Sequence, residues 1–204
     1  MDLSIIVPVH NLENYITPLL VSLRLQVITK ETVEIIFVCD NCTDKTEKVI
    51  REFNFDHKFN VKLIRVNNKS CGLSRNSGLE IASGNLIWFI DGDDWIIDPF
   101  AIGKIVRVFK ENPNTKLLRF KFDHPDTFKF STHPAMVWQY TYKRDLIGDT
   151  RFLPIQPDED KEFMKIILNK IKDFSQIEDK LYYYNYLRPN SNMQQIYETG
   201  KITI

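Results

Sequence analysis

Three aspartates within four residues, Asp91-Gly92-Asp93-Asp94, directly follow the apolar run at 86–90 (LIWFI). In extended chain alternate residues face the same side, so Asp91 and Asp93 point together. No basic residue neighbours them in sequence, and two converging carboxylates repel unless a cation sits between them. A hard divalent ion with oxygen ligands, Mg2+ or Mn2+, meets that need, above all where a phosphate supplies further oxygens. Asp and Gly also build plain polar turns, but three acids at one strand end favour the metal-binding reading.

Other candidates are spread along the chain. Asp40 ends an earlier apolar run, in VCDNCTD, where a carboxylate can accept from a ribose hydroxyl or a base N–H. A helix cap is its plainer role, but Thr43 and Asp44 already fit that. Arg75, in GLSRNSG, falls in the first turn of a helix. A lone arginine there is ordinarily a solvated group. Beside a diphosphate, its planar fork and the helix N-terminus would both favour the anion. Asp158-Glu159-Asp160 opens a later helix; complementing the helix dipole and serving as a general base at a site mouth fit it equally. His57, His124 and His133 show no metal spacing and are assigned nothing. Cys39 and Cys42 form a CxxC with no second pair to complete a zinc site, and they are read as structural.

These residues need elements to hold them. Short apolar runs at 3–9, 33–39, 61–66 and 86–90 alternate with helical stretches at 17–25, 44–54, 73–83 and 98–111. Thr17-Pro18 reads as an N-cap and first-turn proline, and Gly84 as a helix stop. Repeated strand–helix–strand units give an α/β fold with a mostly parallel sheet and helices on both faces. Ligands in such sheets bind outside the carboxyl ends of the strands, which selects 10–13, 40–44 and 91–94. The second half is less regular: a strand at 116–122, an irregular or short-strand stretch at 128–134, a helix at 159–171 and an aromatic strand at 181–187.

Composition narrows the classes further. The chain has 204 residues, with 27 Lys+Arg against 27 Asp+Glu, so nothing draws it at long range to nucleic acid or anionic lipid. Three cysteines cannot pair fully and suit a reducing compartment. No apolar run approaches the roughly 20 residues of a membrane helix, and no signal-peptide layout is present, so a cytoplasmic domain is expected. The segment after the first strand, His10-Asn11-Leu12-Glu13, lacks GxGxxG, and GxxxxGK[ST] is absent, which removes dinucleotide-binding and P-loop readings.

Several segments together resemble the family-2 glycosyltransferases, nucleotide-sugar-dependent enzymes with the Rossmann-like GT-A fold. SIIVPVHNLENYI is similar to their opening strand and donor-base loop, and FVCDNCTDKT to the segment written VDDGSTDxT. GLSRNSGLEIASGNLIWFIDGDDW resembles the block ARNxGxxxAxGxYxxFxDxDD. AMVWQYTYKRDLIGDTRF, PDEDKEFM and KLYYYNYLRPNSNM are similar to the tryptophan stretch, the ED motif and the YYYR strand that follow in that order. The resemblance implies that Pro8, His10, Asn11 and Glu13 line the base pocket. It further implies that Asp40, Arg75, Asp91 and Gly92 contact the donor, and that Asp93 with Asp91 holds Mn2+ or Mg2+. Asp160 becomes the general base, with Glu159 beside it.

There are departures. His10 stands where the family often has tyrosine, Cys39-Asp40-Asn41-Cys42 replaces Asp-Asp-Gly-Ser, and Asn185 replaces the YYYR arginine, with Arg188 close behind. The resemblance further implies one glycosyltransferase domain over 1–204. Residues 1–112 would form its nucleotide-sugar-binding half, and 113–204 its acceptor and base half with a small C-terminal annex. An inverting transfer is expected, from a nucleotide-diphospho-sugar (a UDP-sugar by preference) to a hydroxyl of a glycan, lipid-linked or other acceptor. No nucleic acid or transmembrane segment is expected, and the setting is cytoplasmic with room for peripheral contact at the inner face of the membrane. Two other readings compete: a non-catalytic nucleotide-sugar-binding scaffold, and a sugar nucleotidyltransferase, which usually carries a glycine-rich triphosphate loop that is missing here.

Overall fold

A computed structural model describes residues 1–125, 136–155, 158–186 and 189. The stretch expected at 128–134 and Arg188 lie outside them. The four apolar runs become β1 (Leu3–Val9), β2 (Val33–Asp40), β3 (Asn60–Val66) and β4 (Leu86–Phe89). They pair in parallel in the order β3-β2-β1-β4. Every residue of β1 and β2 is buried, which is why these strands read as continuous apolar runs rather than alternating ones. Alternate side chains feed two cores. Ile5, Val7, Ile35, Phe37 and Trp88 enter one with α1 (Thr17–Arg24), α2 (Thr46–Glu52) and α4 (Ala101–Glu111). Ile6, Ile36, Val38 and Phe89 enter the other with α3 (Cys71–Ile81), α5 (Arg144–Ile147) and α6 (Glu159–Asn169).

Past β4 the sheet continues through β7 (Tyr140–Lys143), β6 (Leu117–Asp123), β8 (Ser175–Tyr183) and β5 (Trp95–Ile96). The contacts β4–β7, β7–β6 and β8–β5 are antiparallel, and β6–β8 is parallel. The C-terminal annex is thus built as an extension of the central sheet.

Several local expectations change. The last strand starts at Ser175, not 181, and ends at Tyr183; its first half alternates polar residues outward and carries no aromatic run. β5 and β7 are two and four residues long, too short to show a period. Thr17 does not cap α1: Ile16 holds that position without a side-chain hydrogen bond, because the preceding turn closes on the Leu12 carbonyl. Gly84 is not a left-handed helix stop. A Cβ there would lie 2.4 Å from the Ser4 nitrogen, so glycine is needed for the chain to pass close to β1.

The edge of the sheet opposite the strands' carboxyl ends is held by a buried acid. Glu34 accepts from Ser4 Oγ at 2.5 Å, Ser83 N at 2.6 Å and Lys62 Nζ at 2.6 Å. Burial alone would raise its carboxyl, but these bonds hold it down at about 2.

Candidate active site

The loops after β1 and β2 are stitched together by the residues expected to line a base pocket. Asn11, in the left-handed region at φ 49°, accepts on Oδ1 from Thr43 N at 2.8 Å. Glu13 Oε2 accepts from Lys45 N at 2.8 Å, and Glu13 N donates to Asp44 Oδ2 at 3.0 Å. His10 Nδ1 lies 2.6 Å from the Asp40 carbonyl. A carbonyl only accepts, so Nδ1 carries the hydrogen and Nε2 is the acceptor facing the Asn11 amide. Asp40 itself is buried. Its Oδ1 accepts from Asn68 N and Lys69 N at 2.8 and 3.0 Å, and its Oδ2 from Ser70 N and Ser74 Oγ at 3.1 and 3.0 Å. With Asn41 Nδ2 a fifth donor to Oδ1 at 3.4 Å, protein groups fill the carboxylate, which anchors the loop leading into α3.

The turn after β4 lies against β1. At Gly92 a Cβ would stand 2.6 Å from Leu12 Cδ1, 2.8 Å from Val9 Cγ1 and 3.3 Å from the Pro8 carbonyl; no larger residue fits without moving the turn. Asp94, the third acid of the run, faces inward and is 1% exposed. Its Oδ2 accepts from Tyr182 Oη at 2.5 Å and its Oδ1 from Asn185 N at 2.7 Å. Tyr182 Oη in turn accepts from Asp91 N at 3.1 Å, and Asn185 Nδ2 donates to the Asp93 carbonyl at 3.2 Å. Asp94, Tyr182 and Asn185 therefore brace the turn against the end of β8. Burial, with the charges of Asp93 and Asp91, holds the Asp94 carboxyl well above the usual range.

Arg75 joins this turn to the base candidate. Its side chain is 3% exposed. Nη2 donates to Asp91 Oδ1 at 2.7 Å and Nη1 to Asp160 Oδ1 at 2.6 Å, and the guanidinium lies 5.3 Å from the Phe152 ring centroid. The cation that Asp91 lacks in sequence is thus supplied from 16 residues away. Asp160 sits in the first turn of α6, where burial outweighs Arg75 and pushes its carboxyl up to about 7, with Asp91 and Glu159 adding repulsion. Glu159 is buried beside Gly72, where a Cβ would be 3.2 Å from its Cγ, and burial raises it too. Two atoms here, Arg75 Nε and Glu159 Oε2, are buried without a hydrogen-bond partner among the described residues.

The donor set also bears on the expected metal. Among the described residues no His, Cys, Asp or Glu group of three or more is placed to hold an ion. Asp91 and Asp93 are hard oxygen donors, and both are partly exposed after β4. Such a pair fits an ion that draws its remaining ligands from phosphate, as Mg2+ usually does.

Sequence reasoning missed Phe152, Tyr182 and the inward role of Asp94. No local signal gave the last, since residues 91–94 close a turn, with Asp94 N donating to the Asp91 carbonyl at 3.1 Å, rather than an extended run with alternating faces.

The sheet order and the acids gathered at the carboxyl ends of β1, β2 and β4 define an α/β protein of the GT-A kind. The family described as Glycosyl transferase family 2 matches residues 4–170, and the chain belongs to that family. Poly(ribitol-phosphate) beta-N-acetylglucosaminyltransferase TarS of Staphylococcus aureus (strain MW2) is 28% identical over 218 residues, covering 97% of this chain and 38% of TarS. A crystal structure of S. aureus TarS in complex with UDP-GlcNAc superposes with a TM-score of 0.85 at 24% identity, over 95% of this chain and 61% of that one. The mannosyltransferase PcManGT from Pyrobaculum calidifontis, in complex with GDP-Man and Mn2+, gives a TM-score of 0.74 at 15% identity, over 97% and 60%. The chain spans between 13% and 38% of the length of the curated relatives it matches.

Proposed function

We propose that this domain is a metal-dependent, inverting glycosyltransferase. It moves a sugar from a nucleotide-diphospho-sugar, with UDP favoured, to a hydroxyl of a glycan or lipid-linked acceptor in cell-surface polysaccharide synthesis. The observation that carries this reading is the Arg75 bridge, which sets a donor-side acid, Asp91, and a base of suitable pKa, Asp160, on one guanidinium. The TarS complex with UDP-GlcNAc and the PcManGT complex with GDP-Man and Mn2+ support the donor class and the ion.

In this reading Asp93, with Asp91, holds the divalent ion, which when bound neutralises charge on the diphosphate. The remaining steps belong to the chain itself. The stitched loops at His10–Glu13 and Asp40–Asp44 form the base side of the pocket. The unspent Nε–H of Arg75 and the unspent Oε2 of Glu159 offer one donor and one acceptor. Asp160, ionised, takes the acceptor proton as the hydroxyl attacks opposite the diphosphate, and that direction of attack inverts the anomeric carbon. A base of this kind typically contributes roughly 10²–10⁴-fold. Among the described residues no helix is long and apolar enough to cross a membrane. We place the domain on the cytoplasmic side, with any membrane contact peripheral.

Calorimetry with UDP, GDP and their sugars, with and without Mn2+, tests the reading. Binding of a uridine nucleotide that strengthens with Mn2+ is expected. A protein that binds no nucleotide in either condition overturns it.

A further inference from the structure

Cys39 is the penultimate residue of β2 and is 2% exposed. Asn41, in the left-handed region at φ 51°, bends the chain so that Cys42 comes back beside it. Cys42 packs against the core cluster that holds Cys39, and its Sγ lies 3.5 Å from the carbonyl of Val9, the register partner of Cys39, so both sulfurs sit on the same β1–β2 seam. A disulfide needs Cα atoms roughly 4.4–6.8 Å apart, a span that residues three apart across a bend can meet. Neither thiol belongs to the proposed chemistry of transfer. We propose that Cys39 and Cys42 are a site of reversible oxidation, closing to an intramolecular disulfide with a peroxide and weakening nucleotide binding when closed.

The environment divides the labour between the two sulfurs. Cys42 is partly exposed; as a thiol it donates to the Val9 carbonyl at 3.5 Å, while hydrogen bonding from the Cys39 thiol and the Asn11 N–H favours its thiolate and outweighs burial and the nearby Asp44. Cys39 is driven the other way by the same hydrogen bond and by burial. Cys42 is therefore the attacking thiolate and Cys39 the resolving thiol. The Cys42 sulfur attacks one peroxide oxygen and breaks the O–O bond, giving a sulfenic acid and hydroxide, which takes up a proton to become water. The Cys39 sulfur then attacks the Cys42 sulfur, forming S–S and releasing the sulfenic oxygen as a second water that carries the Cys39 proton. Two thiols are oxidised and one peroxide is reduced. Cys71, the remaining thiol, stays out: burial at the head of α3 pushes it well above the usual thiol range.

The consequence for binding rests on the proposed function. Cys39 is fixed in the sheet between Val9 and Arg65, so closure must move Cys42. Cys42 is followed at once by Thr43 and Asp44, whose N–H groups hold Asn11 Oδ1. Drawing Cys42 toward Cys39 takes its sulfur from the Asn11 N–H and pulls on the seam joining both base-pocket loops.

Intact mass, peptide mapping and thiol counting after graded hydrogen peroxide, paired with UDP calorimetry, test the proposal. The expected result is loss of two hydrogens, one peptide linkage joining Cys39 to Cys42, and a Cys71 that still alkylates. UDP affinity should fall about tenfold and return with dithiothreitol. The Cys42→Ser variant should be indifferent to peroxide, whatever its own affinity. Equal oxidation of all three cysteines overturns the proposal, as does a linked peptide whose formation leaves UDP affinity unchanged. If the reduced protein binds no nucleotide, the donor reading fails, and the mass and mapping results still decide whether the dithiol closes.

Discussion

Arg75 spends one terminal nitrogen on Asp91 and the other on Asp160, a planar fork with two separated nitrogens that a single lysine ammonium does not match in geometry. Arg75→Lys should keep the charge yet lower kcat/KM by about a hundredfold, measured by initial rates. The proposed base sets the pH response. In the proposed reaction Asp160 works ionised, and its carboxyl sits at about 7, so kcat/KM should rise with pH through an apparent pKa near that value and then level off. A profile flat from pH 5 to 8 would count against the assignment. The same raised carboxyl favours the folded state below its ordinary value of 3.8, and that contribution is lost as pH rises through about 7. At this scale Asp91 and Asp93 stood out from their own spacing, and Asp160 only through the family resemblance; the structure brings Asp91 and Asp160 to one arginine. The sequence was silent on who pairs with whom, because Arg75 and Asp160 are 85 residues apart and nothing local connects them.

The turn after β4 is held by an element that enters from the far end of the chain. Tyr182, on β8, gives its hydroxyl hydrogen to Asp94 and accepts from Asp91 N. Tyr182→Phe removes that hydroxyl from a fully buried position and leaves both partners unsatisfied. A loss of about 1–3 kcal/mol is expected, read from urea unfolding, together with a drop in transfer as the turn loosens. A variant as stable as the parent would show that the brace is idle. Gly92→Ala presses on the same turn from the β1 side and should cost about 1–3 kcal/mol. β1, β2 and β4 were legible because burial on both faces leaves an unbroken apolar signature, whereas β3, at the sheet edge with no buried residue, shows only an interrupted one. β5, β7 and the polar start of β8 were not, since their placement depends on pairing with strands distant in sequence rather than on any pattern of their own.

For the molecule as a whole, the proposed nucleotide-side loops leave one sheet and the proposed base sits in the first turn of α6 beside it, with Arg75 joining Asp91 to Asp160. The opposite edge of the sheet is locked by Glu34, whose carboxyl is lowered from 4.5 to about 2. That lowering contributes stability above pH 4.5, and the contribution is lost as pH falls toward 2. Glu34→Gln should therefore lower stability at pH 7 by about 2–3 kcal/mol and flatten the acid limb of the unfolding profile; an unchanged acid limb would refute this. The overall architecture was readable from alternating periods along the first half, while the antiparallel extension emerged only in three dimensions. The central claim remains that Asp160 is the base of a glycosyl transfer whose donor is held at Asp91 and Arg75. The direct test compares nucleotide release from UDP-sugars by the parent and by Asp160→Asn, with UDP affinity measured alongside. Release by the parent and its loss by at least about a hundredfold in the variant, at UDP affinity within about threefold, is the predicted result. Turnover retained in Asp160→Asn would contradict it.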